Sequence, residues 1–378
     1  MLKLTPAPAL AKLVTFLPNR IEPIHNWYWY KEGFSRALVD WLINRFQIKQ
    51  DQTVLDSFCG VGTTNLACKQ RERQSIGLDA SPLCVFVSKV KTADYDMAAL
   101  GRAVTTALKW KFKAPKELPE QKYLRKALSR YALEDITFYK NKIAEFEDEL
   151  VRNFLLLALL DSATKASWTV KDGALVRIVR KTAPPVSKLF KWKIRRMLKD
   201  LRAAKLKPVP TTIELGDARQ LKLDSESIDA VITSPPYLNK IEYTKIYKLE
   251  LMLFFGFPET QMRAYIGAEP KAADISTLGL TLTGHERLPP IAQAYFYDLA
   301  LALRELHRVC KPGANLAIVL GGGCFPHRVV DTDTATAELA QQIGFDVRKI
   351  LVARETWCTR ARTIKVGKMR ESVILLKK

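Results

Sequence analysis

Two short segments of this chain bring together residue types suited to holding a reacting group. Asp229-Ala230-Val231-Ile232-Thr233 reads as an apolar strand that runs straight into Ser234-Pro235-Pro236-Tyr237. Consecutive prolines donate no backbone hydrogen bonds and hold the chain rigid as it leaves a sheet. The Ser234 hydroxyl and the Pro235 carbonyl are then acceptors at a fixed place, with the Tyr237 ring beside them. That corner suits a planar base bearing an exocyclic amine, which needs two acceptors for its N–H groups and an aromatic face to stack on. A rigid turn closed by a core tyrosine would use the same four residues.

The second segment is Val54-Leu55-Asp56-Ser57-Phe58-Cys59-Gly60-Val61-Gly62-Thr63-Thr64. It sets a G-x-G between a strand and a helix, where absent side chains let a ligand approach and the helix start offers free N–H groups. Asn65 stands where a dinucleotide fingerprint has its third glycine, which argues against a pyrophosphate site. Three acids fall on one predicted sheet edge. Asp56 is placed to face a cationic amino group, Asp79 to bind both hydroxyls of a ribose, and Asp217 follows the third strand. A lone acid after a strand is usually a helix cap or turn former. Three on one edge beside a glycine loop point to a nucleoside pocket.

These residues need a sheet to hold them. Strands are expected at 53–55, 75–79, 213–215, 228–233, 314–320, 347–353 and 372–376, with helices at 34–46, 64–73 and 291–309 and a turn at Lys311-Pro312-Gly313. Strands alternating with helices predict an α/β fold with a mostly parallel sheet. Residues 93–207 differ: helical periodicities at 98–109, 122–131, 138–166 and 188–205, with almost no strand signal. The expected organisation is one α/β unit, 1–92 plus 208–378, carrying a helical insertion, 93–207. The irregular segment 257–290 is long for a loop inside a compact domain.

Charge singles out the same insertion. The 378 residues carry a net charge of +21. Between Lys89 and Pro210 stand 28 basic and 13 acidic residues, a net of +15 in a third of the chain. Such a local excess points to a polyanion, most simply nucleic acid, although a solvated helical face also carries charge. Lys191, Lys193, Arg195 and Arg196 are the candidate phosphate contacts.

Several classes are excluded. The longest apolar run, Phe154 to Leu160, is seven residues, far short of the ~20 that span a bilayer. The start of the chain lacks the pattern of a secretory signal. The six cysteines show no C-x-x-C or zinc spacing, and the four histidines no ligand cluster, so no metal is expected. The cysteines read as reduced, mostly buried thiols of a cytoplasmic protein.

With both motifs in order, each after a strand, the sequence resembles the S-adenosylmethionine-dependent amino-methyltransferases of DNA. Asp56-Ser57-Phe58-Cys59-Gly60-Val61-Gly62 stands as the cofactor motif and Thr233-Ser234-Pro235-Pro236-Tyr237 as the catalytic motif, over about two thirds of the chain. The resemblance implies a Rossmann-like sheet, S-adenosyl-L-methionine as cofactor, and cofactor contacts at Asp56, Phe58, Gly60, Gly62, Asp79 and Asp217. It implies a catalytic set of Ser234, Pro235, Pro236 and Tyr237, with double-stranded DNA as partner. It also implies a restriction–modification setting in which a cognate endonuclease is encoded separately. In that family serine at the motif's first position goes with cytosine N4, and Asp or Asn is commoner for adenine N6. Ile24–Phe34 resembles the opening of the family's helix that helps hold the methionine end of the cofactor, although its successive aromatics suit packing equally well. Alternatives are an adenine-N6 enzyme, an RNA guanine-N2 methyltransferase, and a non-catalytic nucleic-acid-binding protein.

Overall fold

The computed structural model describes residues 3–172, 175–238, 242–257, 274–283, 288–360 and 363–378. Its strands are β1 (Leu4–Pro6), β2 (Thr53–Asp56), β3 (Gln74–Asp79), β4 (Thr169–Asp172), β5 (Leu175–Ile178), β6 (Thr211–Leu215), β7 (Ile228–Thr233), β8 (Cys310–Gly321), β9 (Gly323–Cys324), β10 (Val329–Val330), β11 (Asp346–Arg360) and β12 (Ile364–Lys377). Eight of them form one sheet in the order β1-β11-β12-β8-β7-β2-β3-β6. Every pairing is parallel except those of β12, which runs antiparallel to β8 and β11.

The winding explains where a ligand can sit. From β2 the chain steps outward to β3 and β6, then returns to lay β7 on the other side of β2. The carboxyl ends of β2 and β7 therefore part at a topological switch point, where open α/β sheets bind ligands. Asp229 locks the opposite ends together, accepting from the Thr53 N–H at 2.9 Å and pairing with Lys311 at 2.8 Å.

The helices are α1 (Arg36–Phe46), α2 (Thr63–Gln70), α3 (Pro82–Thr92), α4 (Met97–Lys109), α5 (Lys122–Ala127), α6 (Arg130–Ala144), α7 (Glu149–Ala166), α8 (Val186–Ala204), α9 (Tyr243–Ile246), α10 (Lys248–Phe255), α11 (Pro290–Val309) and α12 (Thr332–Ile343). Helices α4 to α8 bury their apolar faces in one cluster with α3, α10 and the segment holding Trp27, Tyr28 and Tyr30. The basic stretch thus shares its core with the residues flanking the glycine turn. Leu83 of α3, Leu157 of α7 and Leu249 of α10 belong to the same cluster.

Several features differ from the sequence reading, among them the helix expected at 138–166, which is broken between α6 and α7. Residues 169–178 form the β4–β5 hairpin inside the otherwise helical insertion. Lys311–Gly313 begin β8 rather than a turn, with Gly313 at φ +85° and its N–H donating to the Lys378 carbonyl at 2.8 Å. Cys324 and Cys358 are joined as a disulfide, which corrects the expectation of six reduced thiols. They lie 34 residues apart, and only the approach of β9 to β11 brings their Cα atoms to 5.6 Å. Cys59, Cys68, Cys84 and Cys310 are buried free thiols. No helix among the described residues is long and apolar enough to cross a membrane, and these residues hold no metal-ligating cluster of His, Cys, Asp and Glu.

Candidate active site

The turn after β2 is held by its glycines. Gly60 at φ +50° and Gly62 at φ +74° lie in the left-handed region that glycine occupies without steric cost. A side chain on Gly62 would also meet Ser88 of α3 at 2.8 Å, so this glycine lets two helices approach. The Gly60 N–H donates to Asp79 at 2.9 Å and its carbonyl accepts from Ser88 Oγ at 2.8 Å. This network fixes the turn against the end of β3.

The three acids take different roles. Asp56 is 1% exposed and accepts from the hydroxyls of Thr64 and Thr233, both at 2.6 Å, and from the Phe58 N–H at 3.2 Å. It ties the glycine turn to the residue before Ser234. Burial pushes its carboxyl up to about 6, with the hydroxyl bonds pulling the other way. Asp79 accepts from the N–H groups of Gly60 and Ser81, and burial raises it to about 6 as well. Asp217 is gripped by Arg219 at 2.6 Å, and Arg219 also reaches Asp298 at 2.9 Å. Burial opposes ionisation of Asp217, but the Arg219 bonds prevail and hold its carboxyl below the ordinary value.

A cavity opens between the carboxyl ends of β2 and β7. It is lined by Asp56 to Val61, by Asp79, by Asp217, and by Ser234 and Pro236. The glycine turn and the serine–diproline corner therefore share one chamber, and all six expected cofactor contacts except Gly62 line it. The fit to S-adenosylmethionine can be tested on its wall. The buried Ser57 hydroxyl, in this wall, has no hydrogen-bond partner among the described residues. Asp79 is a half-buried residue of the chamber wall, Phe58 offers an apolar face, and Gly60 a close approach to backbone. Donors, acceptors and apolar surface suited to a nucleoside with an amino-acid tail are all present.

The corner itself alternates. Ser234 and Pro236 face the first cavity, whereas Pro235 and Tyr237 line a second one that shares Glu32, Gly33 and Tyr243 with it. Ser234 Oγ donates to the Val319 carbonyl of β8 at 3.0 Å, which leaves its lone pairs as acceptors. The Tyr237 hydroxyl donates to Glu371 at 2.8 Å. Its ring lies against Gly321, where a Cβ would stand 2.6 Å from it.

The four basic candidates on α8 separate. Arg195 and Arg196 are exposed, Arg196 lying over the Trp192 ring at 5.4 Å, and Lys191 is half-buried. Lys193 corrects the expectation of a phosphate contact: it is 3% exposed and paired with Asp161 at 2.9 Å. The helical period turns its side chain inward with Phe190 and Met197. Of the residues after the corner, Lys240 lies outside the described residues, as does most of 257–290. Lys245 pairs with Glu242, and Lys248 sits over the Tyr123 ring at 4.4 Å.

The site holds other residues, of which Tyr30 and Glu32 fall in a segment the sequence singles out. Tyr30 stacks on Tyr247 at 5.2 Å, both line the first cavity, and Tyr247 donates to Glu32. Lys171 of β4 lies 3.9 Å from the Tyr247 ring centre and pairs with the buried Glu250, which also accepts from Tyr28 at 3.0 Å. Arg354 and Glu371 wall the second cavity. The aromatic run at 27–30 was the one local signal.

Residues 18–87, which contain the glycine turn, match the DNA methylase family. The chain is similar to the type II methyltransferase M.BsoBI of Geobacillus stearothermophilus, 27% identical with 91% of this chain and 83% of that protein covered. It is similar to the type II methyltransferase M.AvaI of Nostoc sp., again 27% identical, with 90% and 83% covered. Joined to the strand order and the chamber at the switch point, these similarities support an S-adenosylmethionine-dependent DNA amino-methyltransferase, with S-adenosylmethionine as its cofactor.

Proposed function

We propose that this protein methylates cytosine N4 in double-stranded DNA, on a base swung out of the helix, within a restriction–modification pair whose endonuclease is a separate chain. The observation that carries the reading is the shared chamber: the glycine turn and Ser234 open onto one space, tied together beneath by Asp56. The serine at the head of the corner favours cytosine over adenine.

When bound, S-adenosylmethionine supplies an electrophilic methyl group. Asp79 would hold the ribose hydroxyls, Phe58 would cover the adenine, and the Ser57 hydroxyl would meet the polar tail. An exocyclic amine is a poor nucleophile because its lone pair is delocalised into the ring. Ser234 Oγ and the Pro235 carbonyl, which accepts no hydrogen bond from the described residues, would take its two N–H bonds and turn the lone pair outward. Positioning of this kind reaches roughly 7–11 kcal/mol in favourable intramolecular cases. No cysteine lies in the corner, and Cys59 and Cys84 have their thiols pushed well up by burial, so thiolate attack on the ring has no candidate here.

Extruding the base costs a few kcal/mol, which phosphate contacts would offset. Arg195 and Arg196 supply one exposed basic face. The β4–β5 hairpin supplies another: Leu175 is 60% exposed, and Arg177, Arg180 and Lys181 are exposed beside it. The hairpin packs against α9, whose Tyr243 lines both cavities.

Labelled S-adenosylmethionine offered with duplex DNA and, separately, with tRNA tests the reading. Label is expected in DNA, as N4-methylcytosine after digestion. Label in RNA alone overturns the DNA substrate, N6-methyladenine overturns the cytosine assignment, and no label in either favours a binding protein.

A further inference from the structure

The second cavity holds a pair of charged residues that the reaction as described does not use. Arg354 of β11 and Glu371 of β12 are direct cross-strand partners, set just after a bulge between Val352 and Arg354. Glu371 is 8% exposed, and its two oxygens are divided: one accepts from the Tyr237 hydroxyl at 2.8 Å, the other from Arg354 Nε at 2.5 Å. The carboxylate thus holds the guanidinium at Nε alone. The two Nη groups have no hydrogen-bond partner among the described residues, and the side chain stays 37% exposed on a wall of the cavity that Pro235 and Tyr237 also line. In register, Glu371 stands beside Gly321, the residue whose missing side chain admits the Tyr237 ring.

We propose that Arg354, aimed by Glu371, selects cytosine by pairing with its N3 and O2. This deepens the proposed function and rests on the amine being held at Ser234 and Pro235. Beyond that amine, the edge of cytosine presents a ring nitrogen acceptor and then a carbonyl oxygen. The corresponding edge of adenine presents a ring nitrogen and then a C–H. A guanidinium offers two parallel N–H donors in a fixed fork, as guanine's N1–H and N2–H did before the base left the helix. Cytosine satisfies both donors. Adenine satisfies one and leaves the other facing carbon inside a closed site, where an unmade hydrogen bond costs its full desolvation. Sites built to pair with a polar group reject analogues lacking it by far more than apolar pockets reject a changed shape. The Glu371 bridge also couples the fork to Tyr237, so the stacking face and the edge-reading group are set by one carboxylate.

The test needs the target sequence, found by sequencing modified bases in DNA exposed to the unaltered protein. Duplexes carrying either cytosine or adenine at that position are then compared for rate, with cofactor binding measured alongside. Arg354→Met is expected to lower the cytosine-to-adenine rate ratio by roughly 100-fold while cofactor affinity holds. Arg354→Lys is expected to lower it too, because a single ammonium does not reproduce the fork, and it carries the test should the methionine variant fail to bind cofactor. A ratio unchanged within threefold in a cofactor-binding variant overturns the role of Arg354. N6-methyladenine as the natural product of the unaltered protein would instead overturn the cytosine reading itself, whatever the variants do.

Discussion

Asp56 in the sheet and Asp161 in the basic insertion are both carboxylates buried to within 5% exposure, yet their surroundings are opposites. Asp56 has two threonine hydroxyls and one backbone N–H around it and no cation. Asp161 sits between Lys165 at 2.6 Å and Lys193 at 2.9 Å. Burial raises the proton affinity of Asp56 beside the ligand chamber despite its neutral donors, whereas Asp161 meets two cationic side chains in the core of the helices. The sheet therefore organises its site with hydrogen bonds. The insertion, for all its positive charge, spends part of it on its own core, so its surplus overstates what is available to a polyanion.

The sharpest way to break that contrast is at the corner. Ser234→Ala removes the acceptor from the first cavity without touching Asp56, and we expect transfer to fall by about 100- to 1000-fold with cofactor affinity intact. Single-turnover rates beside equilibrium cofactor binding would read this, and a near-parental rate would remove Ser234 from the reaction.

Helix α8 carries the next test. Lys193→Ala should cost about 3 kcal/mol of folding stability, near the lower end for breaking a buried pair because Lys165 still reaches Asp161. The salt dependence of DNA binding should stay as it was. Arg195→Ala should leave stability unchanged and lower the slope of log affinity against log salt by about 1. Denaturant melts and binding titrations over a salt series tell the two apart; exchanged outcomes would mean that Lys193 faces the DNA.

A pH series gives the smallest effect and the finest one. Asp56 and Asp79 titrate near 6 in the fold, against 3.8 ordinarily. Between those values the folded chain holds protons that the unfolded chain has lost, so the two groups' contribution to ligand-free stability falls as pH rises through that window. Cofactor binding should run the other way, weakening by roughly tenfold per unit below about pH 6 as Asp79 loses its charge. Denaturant melts of the ligand-free protein from about pH 4 to 7 check the first sign, and calorimetric cofactor titrations from about pH 5 to 8 the second.

Much of the frame was readable because a buried parallel strand is a short apolar run that stops abruptly. Val54-Leu55-Asp56, Gly77-Leu78-Asp79 and Val231-Ile232-Thr233 each stop at the chamber. The β4–β5 hairpin was not readable, since Leu175, Arg177 and Ile178 are all exposed and leave no alternation of faces. Lys311–Gly313 look like a turn locally and become strand because the chain's last residues pair alongside. Lys193 misled for a related reason: a lysine in a basic run looks like surface until its neighbours Phe190 and Met197 show which side of the helix is inward. Arg354 and Glu371 had no local signal at all. Glu371 meets Tyr237 across 134 positions, and only the sheet order brings them together.

Glu250 has a consequence for how the molecule is made. Its carboxylate gathers Tyr28, 222 positions earlier, and Lys171, 79 positions earlier. Until residues 247–250 have been made, Tyr28 and Lys171 lack this carboxylate and Tyr30 lacks the ring it stacks on. The chamber therefore cannot close before these residues exist, and a chain cut short before residue 247 would have its glycine turn complete and part of the chamber wall missing.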